Sequence, residues 1–402
     1  MIAKLSIKNI WRNKRRTLIT MAVITIGVSM LCLAMAYVEF VKWGYGESII
    51  HGQTGHFHVL NRDLLHKEED KILSYGISDW RELAAKIKKD PRVSVVSPRI
   101  NFFGLCSTGE KSTAVMAQAV LPASEIDMGG DYINADPLKK LLNEPEGILL
   151  GRLLAKSLQV KEGGEVTVLT TTATGAMNGY DFKVVGTVNT GIEEMDKRFA
   201  MVSLPTAQAL LASQKVERLT VTLRDTNDLN ETLSDWQKRL PSGITAQSWK
   251  EVFPDFVKTM NFFNGMIGFV LPVLMLIVWF STMNTILMSL MERSAEFATL
   301  RAMGTSKWRM FRMLVAEGAW IGLLGVILGV LIEIGLAYLI NHAGIMMPAP
   351  PGATEGYLLN VRNATGIFTF VGPVTLIVVI LSTIIPARRI FKLNIVRALR
   401  NG

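Results

Sequence analysis

Met291-Glu-Arg-Ser-Ala-Glu-Phe-Ala-Thr-Leu300-Arg-Ala-Met-Gly-Thr-Ser-Lys-Trp-Arg-Met310-Phe-Arg-Met-Leu-Val-Ala-Glu-Gly318 is a charged stretch set between two long apolar runs. A run of about 20 apolar residues is long enough to cross a bilayer. Both ends of the stretch therefore enter a membrane, and its charged middle must emerge on one side as a compact feature. Phe297, Leu300 and Arg301 follow at i, i+3 and i+4 and share one helical face. Gly304 supplies a stop or sharp turn, and Thr305 and Ser306 can cap a second helix that starts near Lys307. On composition alone, a solvated connector whose charge fixes topology competes evenly with a docking element.

Working outward, four apolar runs qualify as spans: 18–40, 265–290, 315–340 and 366–386. They leave a short N-terminal segment (1–17), a polar block (41–264), the charged loop (291–314), a second external loop (341–365) and a tail (387–402). At 402 residues, 49% of them hydrophobic, and a mean hydropathy of +0.30, the chain is too apolar for an average soluble protein. It is not apolar enough to lie wholly in a membrane. The block 41–264 is long enough for a core of its own. Helical and strand-like segments alternate along it, which argues an α+β domain. The expected fold is an α-helical membrane protein with four transmembrane helices and a large α+β extracytoplasmic domain between the first and second.

The net charge of +9 is informative through its location. Residues 1–17 carry six Lys or Arg, 292–313 five and 388–402 five, whereas 41–264 carry 26 basic and 28 acidic residues, a net of −2. Positive charge thus flanks the spans on one side, the positive-inside pattern. Both termini and the 291–314 loop are expected in the cytoplasm, and the block and the 341–365 loop outside. Nucleic acid is excluded as a partner by the same distribution.

The run Glu292-Arg293-Ser-Ala-Glu296-Phe-Ala-Thr-Leu300-Arg301-Ala-Met-Gly304-Thr-Ser-Lys307, with Glu317-Gly318 after it, resembles the cytoplasmic loop of the FtsX/MacB/lipoprotein-releasing (LolC and LolE) permeases of ABC transporters. Three further segments, GILLGRLLAKSLQVKEGGEVTVL from Gly147, FKVVGTVNTG from Phe182 and FAMVSLPTAQALL from Phe199, resemble the MacB-like periplasmic core domain. The resemblance implies that the loop carries a coupling helix docking into a groove on an ATPase subunit. Glu296, Leu300, Arg301, Gly304 and Lys307 are then the expected coupling surface, with Arg301 making ion pairs. It also implies two permeases, identical or paralogous, with two ATP-binding subunits, and mechanotransmission of ATP-driven closure to the external domains. ATP and Mg would be bound by the partner, and no cofactor by this chain. Extraction of lipoproteins toward a periplasmic carrier fits the length, the separate ATPase and the four spans. A MacB-like pump for peptides or amphiphiles working with an adaptor, and an FtsX-like signalling scaffold, are the alternatives. The usual proline of the family's tail is Ile395 here.

Taken in order, residues 1–17 read as an amphipathic helix along the inner leaflet, with Ala3, Ile7, Ile10 and Trp11 apolar and Lys4, Lys8, Arg12 and Arg15 basic. A cleavable signal ending at Ala34-Met35-Ala36 is the rival reading. The apolar run is longer than a usual signal core, and Cys32 follows Leu31 where a lipobox needs a small residue. An uncleaved first span is expected. Lys42-Trp43-Gly-Tyr45 reads as an interfacial belt. His56 and His58 share one face of a strand from Gly55. Two incidental histidines are the simpler reading and a metal site the sharper one, and no metal is assigned. Cys32 and Cys106 imply no disulfide framework.

Gly151-Arg-Leu-Leu-Ala-Lys156-Ser157 superficially suggests a phosphate loop, but Ala155 stands where a glycine must precede the lysine. ATP hydrolysis by this chain, and catalysis generally, are not expected. Trp249, Phe253, Phe256, Phe262 and Phe263 lead back to the membrane as an interfacial extension of the second span, which Pro272 is expected to kink. In the third span Gly318, Gly322, Gly325 and Gly329 recur at spacings of 4, 3 and 4, a face that admits close helix packing. Glu333 extends this stripe. A carboxylate there must face a partner helix, a wet cavity or the outer interface, and is an intramembrane polar-site candidate.

Overall fold

Apolar residues on every side of a helix require a surrounding that is itself apolar, and four helices of the computed structural model meet that condition. The structure describes residues 14–65, 73–129, 134–349 and 354–388. Most of the expected N-terminal amphipathic helix (1–13), His66 and the basic tail beyond Arg388 lie outside the described residues. The chain forms two compact units. One comprises 1–43, 259–346 and 358–402, and the other 44–258 with 347–357.

In the membrane unit the spans are the helices Lys14–Ile49, Pro254–Glu292, Lys307–Ala343 and Thr365–Ala387. All four contribute to one apolar core, through Ile24, Val28 and Leu31, Met275 and Val278, Ile321, and Val371 and Val379. Hydroxyls inside it are spent locally or across helices. Thr20 Oγ1 donates to Thr285 Oγ1 at 2.6 Å, and Thr25 Oγ1 to the Gly325 carbonyl at 3.2 Å. The second helix continues through Pro272. All four helices are longer than their apolar runs, the fourth by one residue at each end. The first continues through Lys42, Trp43 and Tyr45 to Ile49, because nothing in that belt stops a helix. The third begins at Lys307, behind its Ser306 cap and eight residues before the apolar run expected from 315.

The second unit is built on nine strands: β1 (Phe57–Asn61), β2 (Val93–Ser107), β3 (Ser112–Val120), β4 (Gly147–Gly151), β5 (Glu165–Thr171), β6 (Met177–Val188), β7 (Phe199–Ser203), β8 (Arg218–Leu223) and β9 (Ile244–Ser248). Their order is β3-β7-β4-β6-β5-β2-β8-β1-β9, with an additional β2–β3 pairing. The 15-residue β2 serves two sheets. Its first half pairs with β8, and its second half pairs with β3 and β5, closing a six-stranded ring. The remaining sheet, β9-β1-β8-β2, is a ferredoxin-like βαββαβ plait whose helices are Trp80–Lys88 and Leu229–Arg239. The closed ring is inserted between its second and third strands.

Alternation gives the plait two unlike faces. Phe57, Val59, Leu219 and Val221 form an apolar face, while His58, Ser97, Arg99, Arg218 and Thr220 share the opposite one. The short helix Pro122–Gly129 covers this polar face, and its Glu125 meets Arg99 at 2.5 Å. The connection between the third and fourth spans adds 347–357 to this unit. Thr354 N donates to the Gly191 carbonyl at 3.1 Å, and Arg152 pairs with Glu355 at 3.0 Å.

Candidate functional site

Between the second and third spans the chain makes one short helix, Ser294–Ala302. It ends as the glycine demands. Gly304 has φ +89°, its N–H donates to the Arg301 carbonyl at 3.1 Å, and Thr305 N–H reaches back to the Leu300 carbonyl at 3.0 Å. These two bonds form a Schellman stop, which needs a residue at ease with positive φ. Ser306 then caps the third span by accepting from Arg309 N at 3.3 Å. Two helices are thus joined through Gly304-Thr305-Ser306, a turn tight enough to fix their mutual direction.

The short helix is anchored on its inner side. Phe297 and Ala298 are buried, and Phe297 packs with Leu290, Met310, Leu314 and Ala387, so spans two, three and four all hold it. Arg293, which precedes it, is the hub of the polar anchoring. Its Nη1 lies 3.2 Å from Glu317 Oε2 on the third span, its Nε 3.1 Å from Glu296, and its guanidinium 5.2 Å over the Phe297 ring. Arg293 and Glu317 are both buried. A displacement of the short helix therefore pulls directly on the third span.

The five residues expected on a coupling surface occupy different environments. Gly304 is exposed at the tip, and Arg301 and Lys307 are half-buried. Glu296 is tied to Arg293, and Leu300 leans partly into the Phe297 cluster. Two large apolar side chains beside the turn, outside that expected set, also point outward. Met303 is 70% exposed and Trp308 58%, with the indole stacked on Phe311 at 5.0 Å. The Arg293 hub was passed over by the sequence reading. Its signal was the pair Arg293 and Glu317 inside one motif, but 24 residues separate them.

The glycine stripe of the third span meets two partners. A Cβ on Gly318 would overlap the Thr383 side chain, and one on Gly322 would lie 2.8 Å from Val379 Cγ1, both on the fourth span. On Gly325 it would lie 2.7 Å from Ile24 Cγ2, and on Gly329 2.8 Å from Val28 Cβ, both on the first span. The third span thus changes neighbours halfway along. Glu333 is fully buried, its Oε2 accepting from Asn363 Nδ2 at 3.4 Å, while Oε1 has no partner among the described residues.

In the head the two strand histidines diverge. His56 Nδ1 accepts from Leu223 N at 3.1 Å and its Nε2 meets Thr226 Oγ1 at 3.0 Å. Burial, more than the neighbouring His51, lowers its pKa to about 4. His58 is buried beside the Arg218 and Arg99 cations and is held neutral, well below the ordinary histidine range. Among the described residues no three His, Cys, Asp or Glu side chains converge as a metal site would require.

Two family models match this chain. Residues 17–239 match the MacB-like periplasmic core domain, and residues 268–395 the C-terminal part of FtsX-like permeases. The lipoprotein-releasing system transmembrane protein LolC of Neisseria meningitidis serogroup B is 24% identical over 333 residues, 80% of this chain and 77% of that one. The corresponding LolC of Xylella fastidiosa (strain Temecula1) is 25% identical over 260 residues, 63% of each chain, so this chain spans under two thirds of that relative. The periplasmic region of MacB from Actinobacillus actinomycetemcomitans aligns over 52% of this chain and 94% of its own length, at 13% identity and a TM-score of 0.36.

Proposed function

This chain belongs to the FtsX-like permeases of ABC transporters that carry a MacB-like periplasmic core domain, and from that premise we propose that it is the permease subunit of a lipoprotein-releasing system. The ATPase is a separate chain, which binds the ATP and Mg; this subunit carries no cofactor and no catalytic residue. Two permease copies, or this one and a paralogue, pair with an ATPase dimer. The basic ends and the 291–314 connector face the cytoplasm, by the distribution of Lys and Arg. The 44–258 head faces the periplasm of the inner membrane.

The observation that carries this reading is the anchored connector. A helix that docks on an ATPase must be exposed at its tip and rigidly joined to a span at its root. The connector 293–308 offers Met303, Gly304 and Trp308 outward, while Phe297 and Arg293 fasten it inward. ATP-driven closure of the ATPase dimer moves this lever, and the spans pass the movement to the heads, which lift acylated proteins toward a carrier. Glu296, Leu300, Arg301, Gly304 and Lys307 frame the docking surface, with Arg301 pairing to an ATPase carboxylate.

A MacB-like pump for peptides or amphiphiles is the second reading, favoured by the family to which the head belongs. Purification of the tagged chain from its own membranes separates the two. A nucleotide-binding subunit with a lipoprotein carrier supports release, and an adaptor with an outer-membrane duct supports efflux. In a reconstituted release assay Arg301→Glu is expected to leave insertion intact and to abolish ATP-driven transfer. Undiminished transfer by that variant contradicts the assignment of Arg301.

A further inference from the structure

The polar face of the plait borders a cavity of about 790 Å³ in the head, within the size range of small-molecule sites. Its wall includes His58 from β1, Arg218 from β8, Asn101 from β2, Glu125 from the covering helix and Thr54. Thr54 ends the π-helical turn Ile50–Thr54, a distortion that recurs at functional sites. A buried sheet face made of His, Arg, Ser and Thr is costly unless each polar group is paired. An account of its hydrogen bonds therefore indicates what is missing.

The carboxylates around the cavity are already engaged. Glu125 accepts from Ser97 Oγ at 2.7 Å and from Arg99 Nε and Nη2 at 2.8 and 2.5 Å. Glu217 accepts from Asn101 N at 2.6 Å and Arg218 Nη1 at 2.5 Å, and Glu355 is taken by Arg152. The Asn101 amide oxygen, turned toward Arg218, accepts from its two terminal nitrogens at 3.0 and 2.6 Å. Four groups on the same sheet face have no partner among the described residues: Arg218 Nε, Thr220 Oγ1, Thr222 Oγ1 and His58 Nε2. Arg218 Nε can only donate, and a threonine hydroxyl and a histidine ring can do so. Of these groups Arg218 and His58 belong to the cavity wall, which thus has donors left over while its carboxylates are spent.

The field at this point has a sign as well. His58 feels two cations, Arg218 and Arg99, ahead of any other charge. The groups facing it are Arg99 from β2, Arg218 from β8 and Glu125 from the covering helix, with His51 of the π-helical turn beside His56 at 6.2 Å. His51 is itself held by Glu47 at 3.2 Å and the Met128 carbonyl at 2.9 Å. An oxygen ligand with negative charge satisfies both the unspent donors and the field. We propose that this cavity binds a carboxylate-bearing molecule, received by the Arg218 guanidinium and His58. The site is independent of the connector between spans two and three, and stands or falls apart from the transport reading.

The carboxylate could belong to a free small acid or to a peptide terminus, and the probes separate these sources. The full chain, labelled with ¹⁵N-histidine and purified in detergent, is titrated with N-acetylglycine and with its neutral methylamide. The His58 resonance, identified by its loss in His58→Gln, is followed in each case. A saturable shift with the acid and none with the amide is expected. Losing a hydrogen bond to a charged partner costs about tenfold or more in affinity, so Arg218→Gln is expected to weaken binding by at least that factor. Arg218→Lys keeps the charge beside Glu217 without the Nε arm, and is expected to stay folded and bind about tenfold more weakly. A hexapeptide with a free C-terminus that binds more tightly than its amidated form and than N-acetylglycine assigns the site to chain ends. Equal affinity of peptide acid and N-acetylglycine assigns it to small acids. No saturable shift, an equal shift with the neutral amide, or full affinity in Arg218→Lys would overturn the proposal.

Discussion

Arg99 in the head and Arg293 in the membrane unit each fasten a short helix to a longer element, and they do so with different completeness. Arg99 is fully buried and spends two nitrogens on Glu125, whose remaining capacity goes to Ser97. Arg293 divides itself between a buried carboxylate, Glu317, and a half-exposed one, Glu296. The first arrangement is closed and exchanges nothing without breaking the head. The second keeps its inner bond while its outer carboxylate remains within reach of water or of a docked protein. A fixed staple and a lever pivot are thus built from the same two residue types, distinguished by whether a second, outer carboxylate shares the arginine.

The largest effect that tests this contrast is expected from Arg99→Met. Removing one partner of a sealed ion pair leaves a buried charge and costs about 3–5 kcal/mol. Denaturant unfolding of the purified chain, followed by tryptophan fluorescence of the head, measures it. The double variant Arg99→Met/Glu125→Leu is expected to regain most of the loss. A single variant as stable as the parent would show that the pair is not a staple.

Acid comes next, and it separates the two units by titration. His56 titrates near 4 in the folded head and His58 well below its ordinary value, against about 6.5 when unfolded. Depressed histidines contribute stability that is whole above pH 6.5 and is lost as pH falls toward the folded value. By pH 4, His56 alone accounts for roughly 3 kcal/mol at about 1.4 kcal/mol per unit. The described part of the membrane unit holds only His342. Unfolding midpoints of the head between pH 7 and 4 are expected to fall steeply, and His56→Gln is expected to flatten the slope. A pH-independent head would contradict the burial of these rings.

The smallest stability effect belongs to Arg293→Met, about 2 kcal/mol, because Arg293 and Glu317 keep some contact with their surroundings where Arg99 and Glu125 keep almost none, which places the pair between an exposed and a sealed one. Its functional effect is expected to be larger than its structural one. ATPase activity of the assembled complex should persist while transfer falls at least tenfold. Equal loss of both, in proportion to protein yield, would reduce Arg293 to a structural residue.

What was legible in the chain was local. The stop at Gly304 and the cap at Ser306 follow from glycine's tolerance of positive φ and serine's reach to its own backbone, and both stand where the spacing put them. The four spans follow from run length, although their ends do not, since a helix is free to continue past the apolar run, as the first does to Ile49. Most head strands are visible by alternation. β9 is hard to see, because Ile-Thr-Ala-Gln-Ser alternates weakly. The helix Pro122–Gly129 is hard to read locally, because a proline after an apolar strand serves equally to end it or to open a first helical turn. The strand order, the sharing of β2 between two sheets and the polar layer around Arg99 and His58 rest on pairings far apart in sequence. No local pattern encodes them.

The candidate coupling residues show the same limit. Spacing placed Phe297, Leu300 and Arg301 on one face, but it could not say that Phe297 would be swallowed by Leu290, Met310 and Leu314. The face that remains outward is shifted toward Met303 and Trp308.

The most direct measurement uses the substitution Met303→Cys in a chain whose two native cysteines, both buried, are replaced by alanine. Membranes from cells are then treated with a short bifunctional thiol-to-amine reagent. The expected result is a covalent adduct with the nucleotide-binding subunit that weakens when ATP hydrolysis is arrested, and no labelling of the introduced thiol by an impermeant maleimide in intact cells. An adduct confined to periplasmic proteins, or ready labelling from outside, would place the connector on the wrong side and contradict the lever.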